Sequence, residues 1–363
     1  MIRTTVLVLA GWVLLPAIWW ASSRPSAAAE GEPGAPGVLE QKREVGKLLG
    51  AYRAARRDPD QRAAIVDEAI AKGSPFVAAI SDEIGRQMRP QLARYSSLFY
   101  QQAGELTKKQ LRQVDPAEVA QLRQKVLGLQ NRPDFSKELI EREGDPAMKR
   151  LEEMFVIGRE KVLESSPSLQ AERERLGELG ALWEKCAAFL YRELPDDENK
   201  PKEAPSFEKY LAGEENMAAG LAAPMDAATL QVLAANNRLS AQLDPEESRA
   251  VLALNLMRNL LGLNACLIDL KLCAAARDHS NDMMTLKFFA HESPVAGKKT
   301  PWDRAARFGT SASAENIAMG YPDGQAANLG WFHSPGHHKN MLGNHTRVGL
   351  GRAGAYYTQM FGR

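Results

Sequence analysis

Apolar residues recur at helical spacing through much of the first half of the chain. Leu151, Met154, Phe155 and Val162 form one such run. Leu176, Leu179, Leu182, Trp183, Phe189 and Leu190 form another, with Glu and Arg between them. A recurrence of three to four residues predicts amphipathic helices, and alternating β-branched residues are nearly absent. The pattern breaks at Asp58-Pro59, Gly73-Ser74-Pro75, Asp115-Pro116, Arg132-Pro133 and Ser166-Pro167, where a cap or turn former meets proline. Several helices of ordinary length in an irregular bundle follow, since no heptad is sustained between breaks. Pro195 to Pro205 is a charged, proline-bearing linker, and a further helix is expected from Asp226 to Leu243.

The pattern changes after Asp244. Asp244-Pro245-Glu246-Glu247 is a sharp helix start: an acidic cap, Pro in the first turn and Glu three residues after the cap. That helix carries Val251, Leu254, Met257 and Leu261 on one face and ends near Gly262. A second follows Asp269, with Leu272, Ala276, His279 and Met283 on one face. Beyond Phe289 glycines, prolines and short apolar runs predict strands at Ala314–Met319, Val348–Ala353 and Tyr356–Phe361, the last two around a turn at Gly354. Gly349, Gly351 and Gly354 are read as strand-edge and turn positions. The expected organisation is a signal at residues 1–29, a helical region at 30–194, a linker and connecting helix at 195–243, and a mixed domain at 244–363.

Arg3, the apolar run from Val6 to Trp20 and then Ala27-Ala28-Ala29 have the order of a secretory signal cut near Ala29. The run is shorter than the roughly 20 residues that span a bilayer. An uncleaved anchor with Trp19 and Trp20 at the interface is the alternative. The mature protein is expected outside the cytoplasm: secreted, periplasmic or on the cell envelope. Charge is balanced, with 46 Lys and Arg against 45 Asp and Glu, so nucleic acid is not an expected partner. Three cysteines exclude a disulfide-dense scaffold. Cys266 and Cys273 can pair only if Cys266 lies outside the helix that Asp269 begins; that bridge stays open. Cys186 reads as a small buried hydrophobe.

All six histidines fall between His279 and His345. His333 and His337 are four apart, but Pro335 between them argues against one continuous helix. Ser334 is a cap candidate for a helix starting at Pro335, which puts His337 in an electropositive first turn that favours a neutral ring. His337 and His338 are about 100° apart on a helix, so one of them faces any shared cleft. His279, on an apolar face, reads as a satisfied core residue, and His338 and His345 as exposed.

From about Asp244 onward the chain resembles the CAP superfamily, whose SCP domain occurs in cysteine-rich secretory and pathogenesis-related proteins. The resemblance rests on an ordered series. Asn255-Leu256-Met257-Arg258 and Gly262-Leu263 come first, then Leu272 to Met283. His291-Glu292-Ser293-Pro294, Glu315-Asn316-Ile317-Ala318, Trp331, Ser334-Pro335-Gly336-His337, Asn340 and Tyr357 to Gly362 follow. It implies an α+β fold: an α-β-α sandwich with a central antiparallel sheet, here preceded by an all-α region. It also implies a cleft of two histidines and two glutamates. By motif these are His291, His337 and Glu315, with Ser334 where the second glutamate belongs.

The resemblance implies an extracytoplasmic binding module for a lipid, peptide or glycan of the cell envelope, or a small hydrophobic ligand. Two further readings stand beside it. In one, His291, His337 and Glu315 hold a divalent metal such as zinc for a hydrolase. In the other, the helical region docks a protein partner and the domain is a scaffold. No activated nucleophile is recognisable, and whether the protein is an enzyme stays open.

Overall fold

The computed structural model describes residues 36–196 and 203–363. The signal or anchor read at residues 1–29 lies outside the described residues, as does the middle of the linker. Among the described residues no helix is long and apolar enough to cross a membrane.

Each break in the hydrophobic pattern starts or ends an element. Helix α1 (Pro36–Ala54) turns into α2 (Pro59–Lys72), capped by Asp58, whose side chain accepts from Gln61 N at 2.9 Å. Gly73 ends α2 at φ 99°, a conformation that costs glycine no Cβ clash. Helix α3 (Ser74–Gln110) follows and runs on through Pro90. Asp115 caps α4 (Pro116–Gly128). A helical turn, Lys137–Leu139, widens into a π turn, Ile140–Gly144, and continues as α5 (Asp145–Phe155). Then come α6 (Arg159–Glu164), α7 (Pro167–Arg192), α8 (Phe207–Leu221) and α9 (Ala227–Ser240).

The chain divides into two compact units. One unit joins the described residues up to Ser96 with Pro167–Glu214; the other joins Ser97–Ser166 with Glu215–Arg363. In the first, Tyr52, Val66, Ile80, Ile84, Trp183 and Cys186 are fully buried. Gly180 admits Phe207: a Cβ there would stand 1.9 Å from the ring.

The second unit contains α10 (Pro245–Leu260), opened by a capping box between Asp244 and Glu247. Arg123 of α4 donates to the Leu260 carbonyl at 2.8 Å, satisfying the end of that helix and meeting its negative pole. There follow β1 (Leu267–Ile268), α11 (Leu270–Leu286), α12 (Pro301–Arg307) and β2 (Ala314–Met319). The chain closes with α13 (Gly324–Phe332), α14 (Pro335–Leu342), β3 (Arg347–Ala353) and β4 (Tyr356–Gly362).

The fold is α+β. The sheet runs β1-β3-β4-β2; β4 pairs antiparallel with β3 and β2, and the two-residue β1 pairs parallel with β3. The antiparallel sheet thus carries one short parallel addition, too brief to show in a sequence pattern. β1 reaches only Arg347 and Val348, so Gly349 and Gly351 are paired with β4 alone and lie on the open edge of β3, as expected. They let α11 lie on the sheet: a Cβ on Gly349 would stand 2.2 Å from the Leu272 carbonyl carbon, and one on Gly351 1.9 Å from Arg277 N.

The three cysteines are free and buried, so Cys266 and Cys273 are not bridged. Cys266 does lie outside α11, but its backbone is clamped elsewhere. Its N–H donates to Asn255 Oδ1 at 2.7 Å, and its carbonyl accepts from Asn255 and Asn236, each at 2.9 Å.

Candidate functional site

α11 ends at Lys287, which adopts φ 55°, and a loop leads from there to α12. His291 projects from this loop with about half of its side chain exposed, while Glu315 on β2 is buried. His291 Nδ1 lies 3.0 Å from Glu315 Oε1. The other carboxylate oxygen accepts from Arg304 Nη2 at 2.6 Å.

Arg304, on α12, is fully buried. It also donates to the carbonyls of Lys298, Lys299 and His291, at 3.0, 3.3 and 3.0 Å. One guanidinium therefore braces the loop that carries His291 and neutralises the carboxylate that orients its ring. Such charge-assisted bonds are the strong class of hydrogen bond. The sequence reading missed Arg304. Its one local signal is the capping box of Thr300 and Asp303, which fixes the start of α12 and so the side on which Arg304 emerges.

His337 sits in the first turn of α14, its ring centre 6.3 Å from that of His291 and inclined by 54°. Burial, and then the neighbouring His291, hold its pKa below the ordinary imidazole value, so the ring is neutral at pH 7. The structure thus brings His291, Glu315 and His337 together from three separate segments. Ser334 takes the cap position of α14, and its carbonyl accepts from His338 N at 2.7 Å. Its hydroxyl makes no capping bond, contrary to the expectation.

A chain of amides, buried except for the half-buried Asn340, holds the two halves of this site in register. Asn340 of α14 donates to the Glu315 carbonyl at 3.1 Å and to Asn316 Oδ1 at 2.9 Å. Asn316 donates to Gln359 Oε1 at 3.0 Å, and Gln359 to Asn328 Oδ1 at 3.1 Å. Asn328 ends the chain on the Ala250 carbonyl at 2.7 Å. Asn316 and Gln359 are fully buried, and leaving one such group unpaired costs about 1–3 kcal/mol. Trp331 adds a bond from Nε1 to the Ile317 carbonyl at 2.9 Å. The strand bearing Glu315 is in this way locked to the helix bearing His337.

The donor set expected for zinc is not assembled. Both oxygens of Glu315 are engaged, one of them by a guanidinium, and a carboxylate so neutralised is a poor ligand. Among the described residues no group of three or more His, Cys, Asp or Glu side chains is placed to hold a metal ion.

The remaining histidines serve the core and its contacts. His279 is buried as expected, with Nε2 3.0 Å from the Ala290 carbonyl, but its Nδ1 has no partner. His338 and His345 are buried rather than exposed. His338 Nδ1 lies 2.6 Å from the Phe332 carbonyl, and its ring meets Phe135 edge-on at 5.4 Å. His345 stacks on Phe361 at 4.7 Å, and burial pushes its pKa down to about 4. Polar neighbours in sequence concealed both, because their apolar partners come from distant segments. His333 Nε2 approaches both Asp145 oxygens, at 2.9 and 3.0 Å.

Residues 251–361 match the family model of the cysteine-rich secretory protein family, the CAP domain. Over 120 residues the chain is 37% identical to the uncharacterized protein YkwD of Bacillus subtilis (strain 168), covering 32% of this chain and 46% of that protein. Over 108 residues it is 35% identical to the uncharacterized membrane protein YlbC of the same organism, covering 30% of this chain and 31% of that one. Among solved structures, an extracellular protein containing an SCP domain from Bacillus anthracis str. Ames shares 34% identity. That match covers 32% of this chain and 40% of the other, with a TM-score of 0.31. The chain spans less than half the length of each of these relatives.

Proposed function

With residues 251–361 forming a CAP domain, we propose that this domain is an extracytoplasmic binding module for a neutral polar segment of a cell-envelope glycan or peptide. The observation that carries the reading is the pairing of Glu315 with Arg304 behind His291. It leaves the carboxylate charge compensated and the outer edge of the His291 ring open. With His337 neutral beside it, the hollow offers hydrogen bonds with little net charge. Phe289 and Trp302, flanking His291 in sequence, are 47% and 59% exposed and supply aromatic faces on the same stretch of chain. Among the described residues no nucleophile is engaged by either imidazole, and burial raises the Cys273 thiol to about 12.

The test is calorimetric titration of the full chain with neutral glycan oligomers and short peptides. His291→Ala and His337→Ala are each expected to weaken binding about tenfold, or about 1.4 kcal/mol, with an unchanged circular dichroism spectrum. Equal affinity in wild type and both variants removes the proposal. So does turnover of a peptide or ester substrate that His337→Ala abolishes in a folded protein, which would make the domain a hydrolase.

A further inference from the structure

The helical unit built from the residues up to Ser96 and Pro167–Glu214 holds a cavity of about 290 Å³. Arg56, Arg62 and Arg175 line it with Glu178, the side chains of Gln87 and Gln91 and the apolar walls of Pro90 and Leu179. We propose that this cavity binds a phosphoryl group. The proposal is independent of the histidine site.

Three observations support it. The first is Arg62, one turn into α2. It is only 9% exposed, and its buried Nε has no hydrogen-bond partner. The same guanidinium interacts with the Tyr52 hydroxyl behind it, while the side chain lines the open cavity as a buried, fixed positive charge. The second is the balance of charge. Three guanidiniums against the one carboxylate of Glu178 leave two positive charges, which match a dianionic phosphate monoester better than a monoanionic carboxylate. Outside the lining, Glu172 holds Arg175 at 3.2 Å and Arg94 at 3.4 Å. Glu83 is occupied by Arg53, Arg86 and Gln87. The third is geometry. The planar fork of arginine matches phosphate oxygens, and Arg62 and Leu179 are buried while Arg56 and Arg175 are exposed. The volume lies near the lower end for small-molecule sites, about 300 Å³. It has room for more than inorganic phosphate.

A phosphoryl group can arrive on a soluble ester or on a lipid headgroup, so the experiment has two arms. The full chain is titrated with glycerol 3-phosphate, and separately sedimented with vesicles of phosphatidylcholine with or without phosphatidic acid. Saturable binding in the first arm points to a soluble ester; binding of the phosphatidic acid vesicles alone points to a headgroup. Either is expected to weaken at least tenfold in Arg56→Gln and Arg175→Gln, whose exposed side chains can change without loss of fold. Glu178→Gln is expected to tighten binding, and acetate at equal ionic strength should not compete. Arg62→Gln should abolish binding; if that variant does not fold, Arg56→Gln decides. Failure of both arms in the wild type overturns the proposal, as does binding that Arg56→Gln and Arg175→Gln leave unchanged.

Discussion

The helical unit and the sheet that carries the histidine site differ in how deeply they bury paired charge. In the helical unit Lys185 and Asp67 pair at 2.5 Å with 47% and 59% of their side chains exposed. Pairs of that kind contribute about 0–1 kcal/mol. Beside the sheet, Arg304 and Glu315 pair with 0% and 1% exposed, next to a network of hydrogen-bonded amides. A helix can turn its polar residues outward at every turn. A strand covered by helices cannot, so Glu315, Asn316 and Gln359 must find partners inside. Once paired, they hold the two imidazoles in place. The same burial that makes these groups costly is what makes the site rigid.

Removing Arg304 should break this contrast most severely. Arg304→Met leaves the Glu315 carboxylate buried without its cation, at an expected cost of about 3–5 kcal/mol in urea unfolding of the full chain. Lys185→Ala should cost under about 1 kcal/mol. Similar losses for the two would show that burial does not separate the regions.

Acid should act next most strongly, and on the sheet side. His279, His337, His338 and His345 all have pKa values lowered first by burial. Below their ordinary value of 6.5, the unfolded chain takes up protons that the folded chain refuses. The stability they contribute is therefore present above pH 6.5 and lost as pH falls toward the folded values. For His345, with a folded value of about 4, the loss is on the order of 3 kcal/mol. Denaturation curves across that range should steepen with acid, and His345→Gln should flatten the slope. A slope identical in the variant would exclude His345 as its source.

The smallest effects come from one substitution made in both places. Gly351→Ala must push α11 off β3 and should destabilise by about 1–3 kcal/mol. Gly177, inside α7, has nothing within 4 Å of a new Cβ. Gly177→Ala should stabilise by about 0.5–1 kcal/mol. Thermal melts showing the same sign for both would contradict the packing described for the sheet.

Local chemistry determined a great deal by itself. Asp58, Asp115, Asp226, Asp244 and Asp269 each cap the helix they precede, and β2 begins and ends where its pattern indicates. Capping and period depend on residues within a turn or two of each other, so they are legible in a linear text. The order of the motifs also pointed to His291, Glu315 and His337 before any distance was known. Tertiary structure alone decided that Arg304 neutralises Glu315, that His338 and His345 are buried, that Cys266 and Cys273 stay apart, and that residues 97–166 join the sheet rather than the other helices. Each of these depends on which distant side chain fills the space beside a residue. A pattern of polar and apolar positions does not carry that information, because the same arginine or histidine is compatible with water until the fold supplies its neighbour.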